Sequence, residues 1–125
     1  MERLFLAIAA IFGGLAVGGG AFASHALKDR LSEKALAIFE TGIRYQMYHA
    51  LALLLVAILL RQTEFSRGLL TTTGITFIAG IFLFSGSLYT LSLTGIKWLG
   101  AITPLGGLAF LAGWGCLVVV ALGAK

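Results

Sequence analysis

Four long stretches without an acidic or basic side chain, separated by short charged ones, set the pattern of this chain. Residues 4–27, 45–60, 68–96 and 98–124 contain no Asp, Glu, Lys or Arg. A hydrocarbon core about 30 Å thick asks for about 20 helical residues at 1.5 Å each. The first, third and fourth stretches meet that length and predict helices over about residues 4–23, 70–91 and 104–124. The second, with 16 residues, spans only about 24 Å as a helix. Helix two must therefore borrow from the polar segment before it and run over about 41–60. That draws Arg44, Tyr45, Gln46, Tyr48 and His49 into the membrane or its interface.

The ends of these helices carry recognisable signals. Ser32 followed by Glu33 reads as an N-cap with an acid in the first turn, and Leu36, Phe39 and Ile43 repeat at helical spacing. Residues 32–43 are thus an amphipathic extension, either continuous with helix two or lying in the headgroup plane. Thr103-Pro104 offers an N-cap side chain and a proline suited to the first helical position, so helix four starts there. A longer, proline-kinked helix is the alternative. Residues 94–103 then form a loop at the interface, anchored by Lys97 and Trp98. Ala21-Phe22-Ala23 resembles a signal-peptide cleavage site, but Met1-Glu2-Arg3 lacks the net positive side-chain charge of a leader.

Composition narrows the class. Of the 125 residues, 59% are hydrophobic and 11% charged, with a mean hydropathy of +1.02. A soluble domain needs about a quarter of its residues charged to cover its surface, and a disordered chain needs far fewer apolar ones. Both classes are excluded. The expectation is an all-α protein, a single transmembrane domain over residues 1–125 built as an integral membrane four-helix bundle with an amphipathic extension before helix two. A net charge of +4 and a pI near 9.7 raise the question of nucleic acid. The basic residues are scattered singly, which points to membrane lipids and away from nucleic acid. Cys116 is the only cysteine, so no intrachain disulfide or thiolate cluster exists.

Because lipid tails remove the hydrophobic drive between helices, close packing must hold the bundle. Gly14 and Gly18 form a GxxxG, and Ala16/Gly20, Thr76/Gly80 and Ala109/Gly113 are small pairs at the same spacing. They suit packing inside one bundle, and the same motif allows a homo-oligomer. Ser85, Ser87 and Thr90 either back-bond to their own turns or reach a neighbouring helix. Basic residues divide four (Arg3, Arg61, Arg67, Lys125) against five (Lys28, Arg30, Lys34, Arg44, Lys97), so charge leaves the orientation open. An even number of crossings places both termini in one compartment.

Candidate chemistry concentrates on helix two. At 100° per residue, Gly42, Tyr45, Gln46 and His49 share one face, while Glu40, Arg44 and Tyr48 share the next. Polar groups inside a membrane are costly and point toward partners or a water-filled cavity. His49 is therefore the leading site residue, with Tyr45 and Gln46 beside it. Two roles stand open: a neutral imidazole cementing the bundle, or a group that moves protons or binds a ligand. His25, at the end of helix one, could approach the start of helix two. Two histidines make a weak metal site, so no metal or cofactor is expected. Glu40 and Arg44, four residues apart, suit an ion pair that neutralises a snorkelling arginine. No nucleophile elbow, zinc-protease motif, CxxC or P-loop occurs, and no catalytic residue or enzyme activity is expected.

Four ordered motifs then suggest a relationship. Gly20-Ala21-Phe22-Ala23-Ser24-His25-Ala26-Leu27, Tyr45-Gln46-Met47-Tyr48-His49-Ala50-Leu51-Ala52-Leu53, Leu83-Phe84-Ser85-Gly86-Ser87-Leu88-Tyr89, and Thr103-Pro104-Leu105-Gly106-Gly107 with Gly113-Trp114 resemble the small membrane-protein family of unknown function that includes bacterial YgdD-like proteins and eukaryotic transmembrane protein 256. Ser24 and Arg44 depart from that pattern. The resemblance implies four membrane helices, with His25 and His49 matching the family's two histidines. It also implies a bacterial plasma (inner) membrane location with both termini in the cytoplasm, and it carries over no established activity. The function expected is a non-enzymatic membrane protein whose polar cluster stabilises the bundle and binds lipid or a partner. A small proton, ion or solute channel or transporter using the His49 cluster is the alternative.

Overall fold

The computed structural model describes residues 1–123. Among them, four helices are long and apolar enough to cross a membrane. They are α1 (Glu2–His25), α2 (Glu33–Leu59), α3 (Arg67–Thr94) and α4 (Thr103–Ala121). The expected end of helix four at residue 124, and Lys125, lie outside the described residues.

Each helix begins and ends for a local reason. The Ser32 side chain accepts from the Ala35 N–H at 3.1 Å and opens α2, as its position before Glu33 predicts. Ser66 caps α3 in the same way, accepting from Leu69 N–H at 3.3 Å. Gly95, at φ +73°, stops α3 in a left-handed conformation that costs glycine nothing. A 3₁₀ turn, Lys97–Ala101, leads into α4.

The structure refines three sequence expectations. The segment 32–43 is continuous with α2, not laid flat in the headgroups, because its apolar face is already occupied: Phe39 is buried with Ala23 and Leu27, and Leu36 and Ile43 pack around them. Helix two is accordingly 27 residues long and starts at Glu33. Thr103 does not cap α4. It is the first helical residue, and its hydroxyl lies 2.6 Å from Ser87 Oγ on α3, so an interhelical bond has taken the group that a cap would use.

The two middle helices form the centre, with α1 packed along α2 and α4 along α3. The core gathers Phe5, Leu53, Val56, Leu70, Phe77 and Phe110 from all four helices. Aromatic rings fill notches left by glycine: Phe5 lies over Gly74, Phe110 over Gly80 and Phe77 over Gly113. At Gly106, the backbone of α4 meets the backbone of α3 at Phe84. The small pairs Thr76/Gly80 and Ala109/Gly113 therefore serve the bundle interior. Gly14 and Gly18 do not, since a methyl group at either would meet nothing within 4 Å. Leu4, Ile11, Leu15 and Val17 on α1 and Leu105, Leu108, Leu111 and Val118 on α4 also point outward. Such an apolar surface is matched to hydrocarbon and not to water.

At the end of the bundle holding Met1, Arg67 ties three helices together. Its guanidinium donates to the Leu60 carbonyl at 2.8 Å and to Glu2 at 3.1 Å, closing the α2–α3 loop and linking it to the first turn of α1.

Candidate functional site

Halfway along α2, Gln46 and His49 are each only 5% exposed, although the surrounding side chains are apolar. Burial of such groups is tolerable only with hydrogen-bond partners, and both have them. Gln46 Nε2 donates to the Phe12 carbonyl on α1 at 2.8 Å, and Gln46 Oε1 accepts from the Tyr89 hydroxyl on α3 at 2.6 Å. One amide thus joins three helices. A turn earlier, Ser85 Oγ donates to the Gly42 carbonyl at 2.7 Å. Gly42 permits this approach because the Tyr89 ring occupies the space a side chain would need.

Ser85 closes a π-helical turn, Ile81–Ser85, set within α3. A π turn inserts an extra residue and rotates the downstream part of the helix relative to a regular one. Here it falls immediately before the segment that supplies Ser87 to Thr103 and Tyr89 to Gln46. Thr90, one residue further round, merely back-bonds to Gly86 O.

His49 makes the link to the fourth helix. The Trp114 indole Nε1 lies 3.0 Å from His49 Nε2, and the Tyr45 carbonyl lies 2.8 Å from His49 Nδ1. An indole N–H can only donate, so Nε2 accepts; the carbonyl can only accept, so Nδ1 carries the proton. The partners therefore assign the neutral Nδ1–H tautomer. The ring is also clamped between aromatic neighbours, stacked on Phe110 with centroids 3.5 Å and planes 8° apart, and meeting Phe77 edge-on at 5.3 Å. Among the described residues, no buried side-chain nitrogen or oxygen lacks a hydrogen-bond partner.

The other residues singled out from sequence separate into different places. Tyr45 is on the rim, 37% exposed, packed against Phe84 at 4.6 Å and Tyr48 at 5.6 Å. His25 is exposed at the end of α1 and has no side-chain hydrogen bond among the described residues. Glu40 and Arg44 are exposed, and their predicted ion pair does not form: Arg44 instead donates to Thr41 Oγ1 at 3.2 Å. That hydroxyl lies one turn back on the same helix. Among the described residues, no three His, Cys, Asp or Glu side chains are grouped as a metal site would require. Cys116 is half-buried and unpaired.

Two open hollows flank the network. One, of about 510 Å³, lies among α2, α3 and α4 and is lined by Tyr45, His49, Phe84, Phe110 and Trp114. The other, of about 440 Å³, is reached by Gln46 and Tyr89 among apolar side chains of α1, α2 and α3. The α2 half of the network is legible in the sequence, whereas Tyr89, Trp114 and Phe110 are not singled out there as its partners. A signal for Trp114 existed: tryptophan favours the membrane interface, yet this one lies well inside the fourth apolar stretch, where its N–H needs an acceptor.

Four apolar spans pinned by an internal hydrogen-bonded network define a small integral membrane protein. The chain belongs to the UPF0382 family, whose model, described as a protein of unknown function (DUF423), matches residues 19–107. The chain is 49% identical over 120 residues to the UPF0382 membrane protein YwdK of Bacillus subtilis, covering 96% of this chain and 97% of that one. A UPF0382 membrane protein of Haemophilus influenzae is 42% identical over 115 residues, covering 91% and 90%. One from Staphylococcus haemolyticus is 41% identical over 117 residues, covering 94% and 93%. No solved structure matches the chain. The resemblance carried by the four motifs is thus to a family of small bacterial membrane proteins without an assigned function.

Proposed function

We propose that this protein is a non-catalytic component of the bacterial plasma membrane, with both termini in the cytoplasm, whose Gln46 and His49 network fixes the four spans in one arrangement. Its outer surfaces then meet lipid or a partner. The observation that carries this reading is that both ring nitrogens of His49 are engaged within the chain, by Trp114 and by the Tyr45 carbonyl. A group that relays protons or holds a solute must exchange partners, and here each exchange breaks a bond between or within helices. The outward Gly14 and Gly18 support self-association through α1 as one form of partner.

A proton, ion or solute path is the competing reading, and the hollow beside Tyr45 and His49 is what favours it. One pair of measurements separates the two. Gln46→Leu and His49→Leu should each lower the melting temperature in mild detergent, by about 1–2 kcal/mol of stability, the scale of interhelical hydrogen bonds in membranes. Proteoliposomes of the unaltered protein should show no proton, cation or small-solute leak above empty vesicles. A leak that His49→Leu abolishes would establish the transport reading instead.

A further inference from the structure

At the end of the bundle where α1 begins and α2 ends, two hollows adjoin and share Glu2 and Arg61. The first, about 110 Å³, has Leu6, Ala57 and Ile58 as its apolar wall and Arg3 and Arg61 at its edge. The second, about 320 Å³, is lined by polar groups, Gln62, Thr63 and Arg67 among them. Arg3 and Arg61 are both exposed and form no ion pair among the described residues. Glu2, the acid between them, is already engaged by Arg67 at 3.1 Å and by the Met1 amino group at 3.6 Å. Counting Glu64 in the α2–α3 loop, three arginines against two glutamates still leave the region positive.

We infer that these two hollows form a binding site for one anionic phospholipid, with its phosphodiester between Arg3 and Arg61, an acyl chain along Leu6 and Ile58, and a hydroxyl-bearing headgroup beside Gln62 and Thr63. The order of chemistries along the site, apolar then cationic then hydrogen-bonding, is the order along such a lipid. Arg3 lies in the first turn of α1, and Arg61 lies just beyond the last turn of α2. Both guanidiniums therefore sit at phosphate depth, where arginine side chains reach headgroups. Guanidinium also matches phosphate oxygens in a fork geometry. A choline headgroup would carry its own cation into a cluster of arginines, whereas a glycerol headgroup would offer hydroxyls to an amide and an alcohol. The site shares no residue with the Gln46 and His49 network. It rests on lipid being a partner of this protein, so its failure would leave the bundle-locking role standing.

The test is native mass spectrometry of the full chain in mild detergent, titrated with phosphatidylglycerol and, separately, with phosphatidylcholine. Phosphatidylglycerol should bind as a discrete single adduct, and Arg3→Gln/Arg61→Gln should weaken it about tenfold, the scale of losing charge-assisted phosphate contacts. Lys28→Gln/Arg30→Gln, at the opposite end, should leave it unchanged. Ile58→Trp, which fills the apolar hollow and keeps every charge, should weaken it as well. Inorganic phosphate should not displace it. Equal binding of phosphatidylcholine, equal loss in both charge variants, no loss in Ile58→Trp, or displacement by inorganic phosphate would each overturn the assignment.

Discussion

A tryptophan N–H deep in a bilayer needs an acceptor supplied by the protein itself, because no water is there to accept it. Trp114 finds His49 Nε2, and the bond dictates which imidazole nitrogen carries a proton. The Phe110 ring holds the imidazole plane, so the acceptor points at α4 without rotamer freedom. Trp114→Phe removes the N–H donor, and His49→Phe retains a flat ring against Phe110 while removing the acceptor. Each variant should melt earlier than the unaltered protein. The double variant should cost less than the sum of the two, with a coupling of about 0.5–1.5 kcal/mol as for contacting polar pairs in membranes. Strict additivity of the two losses, measured by reversible unfolding in detergent, would mean that the bond contributes nothing.

At the scale of elements, the same residue type does opposite work on different helices. Gly106 faces the α3 backbone at Phe84, and backbone cannot step aside as a side-chain tip can. Gly106→Ala should therefore destabilise the bundle by about 1–3 kcal/mol, the usual range for overpacking. Gly14→Ala and Gly18→Ala, in open space, should be neutral or raise stability by up to about 1 kcal/mol per site through helix propensity. Thermal melts of the monomer in detergent distinguish these directions. Nothing in the spacing of GxxxG separates the two cases, since Gly14/Gly18 and Thr76/Gly80 have the same pattern and only tertiary packing tells outward from inward. What the letters do carry is the span count, because uncharged length is a local property, and the depth of the Tyr45-to-His49 segment, because helix two is too short without it. The π turn at Ile81–Ser85 is invisible in the same letters. It accompanies the contacts of Ser85 with Gly42 and of Tyr89 with Gln46 on a neighbouring helix. Likewise the Glu40 and Arg44 spacing permits an ion pair that the geometry gives to Thr41.

For the whole molecule, four crossings place Met1 and the end of α4 on one face and the α1–α2 and α3–α4 connections on the other. The basic residues do not decide which face is cytoplasmic: Arg3, Arg61 and Arg67 stand on the first, and Lys28, Arg30, Lys34 and Lys97 stand on the second, with Arg44 part-way down α2. Their arrangement is more informative than their number. On the second face the cations alternate with Asp29 and Glu33, and on the first Glu64 lies between Arg61 and Arg67, but there Arg3 and Arg61 also flank an apolar groove whose acid, Glu2, is occupied by Arg67. The groove proposed for an anionic headgroup fits the leaflet with the negative surface potential, and the proposed orientation takes that as the cytoplasmic one. Alkaline phosphatase, active only outside the cytoplasm, should accordingly be inactive when fused at either terminus and active when inserted at Arg30 or at Gly95. Activity at both termini with silence at both connections would invert the orientation and keep the four spans. Activity at one terminus alone would contradict an even number of crossings, and the four-span bundle with it.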